Sequence, residues 1–409
     1  MDTKQKLLTD IVRFQLYGGE KPQAAPEDAA DLMKEAKAQT VTALVFPYLK
    51  DLLREASPEM YQKANEDFFV HVIQNTNNFR EHTELHHLMT ERGLPYCTLK
   101  GLASARYYPQ ASLRVMGDVD FLVYERDFAA ARQAVLEAGF SIDHGDDPDS
   151  VHIAFQRPPM SVWEQHRRVN GVPEGKTGQR ILSELDKIIE TSVLAESDGA
   201  VCRVPDDFHH GLVMLLHMIS HMTSEGIGLR HLCDWAVFAQ RFDSAAFASM
   251  FEKKLRAFGL WRFAQIMTLV SQRYLGVDHK EWAENPEVTE EQLEEVITDI
   301  MDGGNFGKKD LNRYREIKFI SNRGDRTVDS RNIFSQAFST LNGKTEYDYP
   351  FTRRHRILLP LGWIAEGVTY LRLLASGRRK SQGTGEMLRE AAKRKSIYSR
   401  MRLFEKDRS

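Results

Sequence analysis

The most constraining feature of this sequence is the run DVDFLV, which begins at Asp118. Successive side chains of a β-strand point to opposite faces, so Asp118 and Asp120 project from the same side. The other face carries β-branched and aromatic side chains: Val119, Phe121 and Val123. Carboxylates this close repel each other unless a cation lies between them, and oxygen ligands at this spacing suit Mg²⁺. The run therefore predicts a cation-binding strand. We disfavour a surface strand with solvated acids, because the run is too apolar to lie wholly in water.

The residues before this run predict a turn that approaches a ligand closely. Residues 96–99 form a short apolar strand, and Gly101 permits a sharp turn. A helix predicted over residues 102–108 would offer free N–H groups to an anion. Lys100 either adds a positive charge there or is a solvated lysine at a strand end. Arg114 either donates two hydrogen bonds to a phosphate or pairs with one of the two aspartates.

A second strand with functional side chains follows a predicted hairpin turn at residues 157–159. Hydrophobic alternation predicts strands over residues 151–155 and 160–168. On the second strand, Val162, Glu164 and His166 share a face. Glu164 and His166 are either site residues or a partly buried pair that only holds the sheet together.

These motifs resemble a known superfamily. Lys100-Gly101, Arg114 and the DVDFLV run are similar to the core of the polymerase-beta-type nucleotidyltransferases, and more closely to their branch of uncharacterised bacterial nucleotidyltransferases. The signature is a glycine-containing turn followed by an acid-x-acid strand. The core match covers roughly residues 85–170, with weaker matches over residues 226–235 and 303–307. The turn here is Lys-Gly-Leu, where the superfamily usually has Gly-Ser or Gly-Gly, and the nearest serine is Ser104.

The resemblance implies an α+β fold in which a small mixed β-sheet nucleotidyltransferase core is flanked by N-terminal and C-terminal helical regions. It implies transfer of a nucleoside monophosphate from an NTP, with ATP expected, to a hydroxyl of an unidentified acceptor, with Mg²⁺ and release of pyrophosphate. The implied catalytic and metal-binding residues are Asp118, Asp120 and Glu164. The implied nucleotide-binding residues are Lys100, Gly101, Ser104 and Arg114. The alternative is a non-catalytic nucleotide-binding or scaffold protein on the same fold, since a fold does not fix an activity.

The helical region after the core contributes a candidate substrate cleft. In a helix predicted over residues 208–222, an apolar face opposes a face that carries His210, His217 and His221. These histidines face either water or a cleft shared with the sheet. His217 and His221 have the spacing of zinc ligands, but the glutamate of a metalloprotease helix is absent, so we disfavour zinc. We expect His166, His217 and His221 to line a substrate cleft.

The segment after that helix supplies the last cleft residue. The glycines near residue 226 break the helix, and Arg230 and Asp234 lie four positions apart on the next one. They either pair with each other or reach the acceptor or the triphosphate. Farther along, Lys308 and Lys309 follow a glycine-rich loop at residues 303–307, and we expect them to be solvated.

Composition limits the class of protein. The chain has 409 residues, enough for two or three domains, and a net charge of −3, which argues against a protein that coats nucleic acid. Transfer to RNA is thereby disfavoured. Three widely spaced cysteines suit a reducing cytosol, so we expect a cytoplasmic protein. No apolar stretch is long enough to span a membrane.

The expected domains are a helical region over residues 1–93, the catalytic core over 94–170, a helical domain over 180–320, and a C-terminal apolar segment with a basic tail over 321–409. The first region carries no apparent chemistry and is expected to pack on the sheet. The apolar part of the last region either packs against the helical domain with its basic residues solvated, or contacts an anionic membrane peripherally. We prefer packing, because the apolar residues occupy more than one side of the expected helix.

Overall fold

The computed structural model describes residues 1–146, 150–310, 345, 352, 358–365 and 384–405. The expected linker at residues 321–349 and most of the apolar segment at 353–374 lie outside the described residues. In chain order, the α-helices of the described residues include α1 (Thr3–Tyr17), α2 (Ala29–Gln39), α3 (Thr42–Ala56), α4 (Pro58–Glu91), α5 (Leu102–Ala105), α6 (Phe128–Glu137), α7 (Gly175–Leu185), α8 (Asp207–Met222), α9 (Leu229–Gln240), α10 (Ser244–Phe247), α11 (Lys253–Phe258), α12 (Trp261–Leu275), α13 (Glu290–Gly303) and α14 (Thr384–Arg400).

The sheet has five strands in the order β1-β2-β5-β4-β3. Their bounds are β1 (Tyr96–Thr98), β2 (Val119–Val123), β3 (Ser141–His144), β4 (His152–Gln156) and β5 (Trp163–His166). Only the central pair, β2 with β5, runs parallel among these neighbours. A mixed sheet within a largely helical chain confirms the predicted α+β class.

The two faces of β2 have different surroundings, as the alternation predicts. Its apolar side chains enter a core with the sheet's neighbouring helices, α4 and α6, which contribute Leu85, Met89 and Phe128. On the other face, Asp120 is buried and lines a cavity between the sheet and the helical region. The strand is therefore fixed by apolar packing on one side while it holds an acid on the other.

The helical domain expected over residues 180–320 is not helical throughout. A two-stranded hairpin, β6 (Val193–Ser197) and β7 (Ala200–Val204), interrupts the helices. Its turn is Asp198-Gly199, and both residues have positive φ, 49° and 75°. An Asp-Gly pair is favoured in such two-residue hairpin turns because they require positive φ at both positions. The signal was therefore present in the sequence.

The basic tail is not wholly solvated, contrary to our expectation for its charges. In α14, the Arg394 side chain is buried and pairs with Asp299 of α13 at 3.2 Å and with Asp310 at 2.8 Å. The Tyr398 hydroxyl donates a hydrogen bond to Asp299 at 3.1 Å. This part of the C-terminus is therefore docked on the helical region. None of the helices that the structure describes is both long and apolar enough to cross a bilayer.

Candidate active site

Strand pairing gathers three carboxylates on one wall of a cavity of about 420 Å³. In the parallel register of β2 and β5, Asp120 lies opposite Glu164, so both side chains project from the same face of the sheet. Asp118 lies just before β2 and lines the same cavity. We call these three residues the acidic wall. The register places Glu164 beside Asp120, and its role as the third acid that the resemblance implies stays a prediction.

Asp120 is the most strongly held member of the acidic wall. Its Oδ1 lies 2.7 Å from the Lys100 ammonium and accepts a hydrogen bond from His166 Nε2 at 3.0 Å. The same His166 nitrogen lies 3.3 Å from Glu164 Oε2. Burial disfavours the charge on Asp120, but Lys100 and His166 outweigh it and lower the pKa of the carboxyl well below its usual range. Lys100 is thus neither simply solvated nor a free cation.

His166 Nε2 contacts the carboxylates of two acids, Asp120 and Glu164. Burial opposes its protonated form, but the hydrogen bonds to Asp120 and Glu164 raise the pKa of the imidazole. The nearby His152 lies 3.7 Å from Glu164 Oε1. His166 therefore positions Asp120 and Glu164 relative to each other across the strand pair.

The positive charge near Asp118 does not offset the effects that disfavour its charged carboxylate. Burial, and then repulsion by Asp120 and Glu164, raise the pKa of its carboxyl to about 6. A cation among the three carboxylates would remove that repulsion, and carboxylate oxygens are the ligands that Mg²⁺ prefers. The donor set therefore fits Mg²⁺ chemically.

The turn at Gly101 differs from the expected anion cradle. The helix that follows is the single turn α5, and the Leu102 N–H points at His82 Nε2, at 3.5 Å. His82 Nδ1 donates to the Asn78 carbonyl at 2.7 Å, and burial lowers the pKa of His82 to about 4, so Nε2 is an acceptor. Gly101 has φ of 61°, and a Cβ there would lie 2.6 Å from His82 Nε2. The predicted helix N-terminus is therefore already occupied by a side chain.

Two other nucleotide-site predictions at this turn have mixed outcomes. Ser104 is buried and lines the cavity. Arg114 pairs with neither aspartate of β2 and is bound elsewhere: its Nε and Nη2 donate to the two carboxylate oxygens of Asp234 at 2.7 and 2.8 Å. Tyr108 donates to Asp234 at 2.8 Å as well. Arg114 therefore forms a buried ion pair with Asp234, and the same acid is not paired with Arg230, which was one of the two alternatives for that residue.

The N-terminal region contributes polar groups that sequence reasoning missed. In α4, Asn75 donates to the Arg114 carbonyl at 2.9 Å and accepts from the Met116 N–H at 3.2 Å. Asn78, one turn later, donates to the Gly117 carbonyl at 2.8 Å. These bonds fix the loop that leads into the acidic wall. The signal was two asparagines three positions apart on one helix face, adjacent to apolar residues.

A second wall of the cavity comes from the helical region. It contains three of the four predicted cleft residues and three that were not predicted, and we call this set the histidine wall: His217, His221, Arg230, His231, Phe306 and Lys308. The fourth predicted residue, His166, is buried on β5 beside Asp120 and does not belong to this wall. His231 is 3% exposed. Within the described chain, neither of its ring nitrogens has a hydrogen-bond partner. Lys308 is exposed, as expected, and also lines this wall, whereas the neighbouring Lys309 pairs with Glu35 at 2.9 Å.

His210 does not belong to the cleft. It is fully buried, stacks on Tyr107 with ring centroids 5.4 Å apart, and lies 5.6 Å from the Phe238 ring. Burial lowers the pKa of His210 to about 3. The predicted polar face of α8 is wrong at this position because the helix is packed on nearly every side.

A family model described as "Uncharacterised nucleotidyltransferase" matches residues 25–276. The chain belongs to this family. The match includes the acidic wall, α8 and α9, but ends before Phe306 and Lys308. No match was found among curated proteins or among solved structures. Family membership indicates nucleotidyl transfer, and the walls of the cavity suggest how this chain carries it out.

Proposed function

We propose that this protein transfers a nucleoside monophosphate from an NTP, with ATP as the expected donor, to a hydroxyl of an unidentified acceptor in a Mg²⁺-dependent reaction. The observation that carries the proposal is the acidic wall, in which parallel pairing of β2 and β5 aligns Asp120 with Glu164 beside Asp118. Three carboxylates on one side of a cavity suit the binding of metal-bound phosphates.

The chain's own groups have distinct roles in this proposal. Asp118, Asp120 and Glu164 would hold Mg²⁺, which when bound neutralises phosphate charge and lowers the pKa of the attacking hydroxyl. Lys100, at 2.7 Å from Asp120, supplies positive charge at the same point. His166 keeps Asp120 and Glu164 aligned through its contacts of 3.0 and 3.3 Å. Arg114 holds α9 against the loop before β2 rather than binding phosphate.

The proposed reaction is a nucleophilic substitution at the α-phosphorus of the NTP. The acceptor oxygen forms a bond to that phosphorus, the bond to the bridging oxygen of the β-phosphate breaks, and pyrophosphate leaves. The hydroxyl proton passes to Glu164 as general base, which is half-buried at the cavity and within reach of His152 and His166. The NTP and the acceptor then share the cavity between the two walls.

The test is pyrophosphate release from each NTP with Mg²⁺ and pools of small hydroxyl compounds. Wild-type protein should release pyrophosphate, and Glu164→Gln should reduce the rate by on the order of 10²-fold or more, as for the loss of a general base. Lys309→Gln, which removes a charge outside the cavity lining, is the matched control. Release by Glu164→Gln at the wild-type rate would reject the role of Glu164.

A second candidate function is binding of a nucleotide without turnover. The Lys100 ammonium lies 2.7 Å from Asp120 Oδ1, where it acts as a resident cation beside the expected metal ligands. Under this alternative, MgATP binds but no acceptor yields pyrophosphate. Lys100→Ser, which removes this cation, would then leave binding intact without creating activity.

Two further features of the proposal concern the environment. We infer a reducing, cytoplasmic setting, which the three buried free thiols of Cys97, Cys202 and Cys233 support. Peripheral contact of the C-terminal segment with an anionic membrane stays a prediction, and it is weakened because Arg394 is bound to acids of the protein. Equal retention of wild-type protein and an Arg378→Gln/Arg379→Gln variant on anionic vesicles would reject it.

A further inference from the structure

The histidine wall carries two cations that form no ion pair with any acid among the described residues, although the charges of Asp118, Asp120 and Asp234 act on Arg230 electrostatically. Arg230 makes no hydrogen bond or ion pair with any residue that the structure describes, and its guanidinium lies 6.0 Å from the Phe306 ring. Asp234, the acid one turn along α9, is already bound by Arg114 and Tyr108. Among the described residues, Lys308 has no ion pair, and its ammonium donates a hydrogen bond to the Thr40 hydroxyl at 3.2 Å. Two cations thus line the cavity opposite the acidic wall.

This arrangement is built into the fold. The first residue before α9 is Gly228, where a Cβ would lie 2.7 Å from Asn305 Cα, so the 305–308 turn packs tightly against the start of α9. Asn305 also donates to Thr40 at 2.9 Å. These contacts bring Phe306 and Lys308 to the cavity beside Arg230, although they lie beyond the residues that the family model matches.

The imidazoles add neutral hydrogen-bond donors to this wall. His231 is nearly completely buried, lines the cavity and has two ring nitrogens without partners among the described residues. A buried polar group of this kind is costly unless a ligand satisfies it. Burial, and then the charges of Lys100 and neighbouring histidines, lower the pKa of His217 well below its usual value, so its ring is neutral and offers one N–H.

We propose that Arg230, Lys308 and His231 form a subsite for a phosphate group on the wall opposite the carboxylates. Unpaired cations and an unsatisfied imidazole at one cavity wall match the charge and the hydrogen-bond acceptors of a phosphate. The group comes either from the tail of the NTP or from a phosphate on the acceptor. Deciding between these two sources rests on the proposed function, whereas binding of a phosphate group to the subsite does not.

A metal ion is the competing occupant of the same wall. Ligand atoms of His217, His221 and His231 lie within 4.8 Å of one another, as three histidine ligands of zinc would. However, Lys100 and Arg230 both contribute positive potential at His217 and His231. A dication there would be repelled by two fixed cations, whereas an anion would be attracted by them.

The experiment is calorimetric titration of the full-length, metal-free protein with inorganic pyrophosphate. Wild-type protein should bind, and Arg230→Gln and Lys308→Gln should each weaken binding by about tenfold or more, as expected for a lost charge-assisted hydrogen bond. Lys309→Gln removes a neighbouring charge outside the cavity lining and should bind as wild type does. Thermal unfolding of each variant verifies that the fold is intact.

Two outcomes would overturn the subsite: absence of pyrophosphate binding to wild-type protein, or equal binding by wild type, Arg230→Gln and Lys308→Gln. Zn²⁺ that survives dialysis in wild type but not in His231→Gln, with no pyrophosphate binding, would replace it with a metal site. Asp118→Asn separates the two proposals, because it should abolish turnover yet bind pyrophosphate at least as tightly as wild type. Pyrophosphate binding in a protein without turnover would therefore leave the subsite standing.

A second titration identifies the source of the phosphate. Under the nucleotide assignment, MgATP displaces pyrophosphate, and its affinity falls in Arg230→Gln and Lys308→Gln. Under the acceptor assignment, pyrophosphate still binds to protein saturated with MgATP, and the ATP affinity of both variants is unchanged. Either result supports the subsite and names its occupant.

Discussion

The acidic wall and the histidine wall face each other across one cavity, but different parts of the sequence specify them. The acidic wall comes from two short strands, and its geometry follows from strand alternation and from one pairing register. The histidine wall combines α8, α9 and the 305–308 turn, which meet only through tertiary packing. The first wall is therefore readable from local patterns, and the second is not.

The walls also differ in how their charges are satisfied. Asp120 is enclosed by Lys100 and His166 at 2.7 and 3.0 Å. Arg230, by contrast, has no ion pair with the described residues. Removal of one partner from a buried ion pair leaves an uncompensated charge and destabilises the protein, whereas removal of a partly buried cation that has no partner leaves no such charge behind. We therefore expect the loss of a paired group to reduce stability more than ligand binding, and the loss of Arg230 to reduce ligand binding more than stability.

Replacement of Asp120 should give the largest effect on activity. Asp120→Asn removes a charge that would hold the metal, and it leaves Lys100 and His166 without their shared partner. We expect turnover to fall by on the order of 10³-fold or more, because charge stabilisation by a bound metal contributes several kcal/mol. The measurement is pyrophosphate release under Mg²⁺, with calorimetry of MgATP binding beside it. Turnover within about tenfold of wild type would remove Asp120 from the metal site.

Arg114, which is buried in an ion pair, and Arg230, which is partly buried without one among the described residues, offer the sharpest contrast in stability. Arg114→Met leaves Asp234 buried without its bidentate partner, so we expect a loss of about 3–5 kcal/mol in the free energy of unfolding. Arg230→Gln breaks no ion pair, so its unfolding free energy should equal or exceed that of wild type. Urea denaturation of the two variants measures both. Similar destabilisation by both substitutions would mean that Arg230 is a structural residue rather than a binding one.

The turn between the walls should respond to a single methyl group. Gly101→Ala forces a non-glycine residue to φ of 61° and places its Cβ against His82 Nε2. We expect a loss of about 1–3 kcal/mol in the free energy of unfolding, from backbone strain and the close contact together. Adding His82→Ala relieves the contact but not the φ, so the effects of the two substitutions should not add. Additive effects in urea denaturation would show that the two residues do not interact.

A feature of the fold or the site could be predicted when the residues that determine it lie close together in the sequence. The alternation of β2, the extent of α4 and the break between α8 and α9 follow from local periodicity and glycines. The hairpin at Asp198-Gly199 was also local, and its turn signal was overlooked. The partner of Arg114, by contrast, is Asp234, 120 positions away, and nothing in either segment points to the other. Lys308 lies 268 positions from Thr40, to which it donates a hydrogen bond.

His210 illustrates the limit of helical periodicity most directly. A two-faced helix assigns a position opposite the leucines to solvent or a cleft, but α8 is buried around most of its circumference. A buried helix in the middle of a domain has no solvent face, so periodicity cannot separate its sides. The neutral state of His210 then becomes a property of the fold, and it can be tested through pH.

His210 should make the protein less stable at acidic pH. Burial lowers the pKa of His210 to about 3, with the charges of Arg106 and Arg114 acting in the same direction and Asp234 opposing them. Between that pKa and the unfolded value of about 6.5, the unfolded chain binds a proton that the folded chain does not. The contribution of His210 to stability is therefore complete above about pH 6.5 and is lost as the pH falls, by about 1.4 kcal/mol per pH unit.

His210→Phe keeps an aromatic ring against Tyr107 and Phe238 but cannot bind a proton. Urea denaturation of both proteins at about pH 7.5 and about pH 5 should show a wild-type loss that exceeds the variant's loss by about 2 kcal/mol. Other buried histidines, including His82 with its pKa of about 4, remain in both proteins, so the difference isolates His210. Equal losses would mean that the imidazole is reached by water in the folded state, and the cleft assigned to α8 by its sequence would then extend to this position.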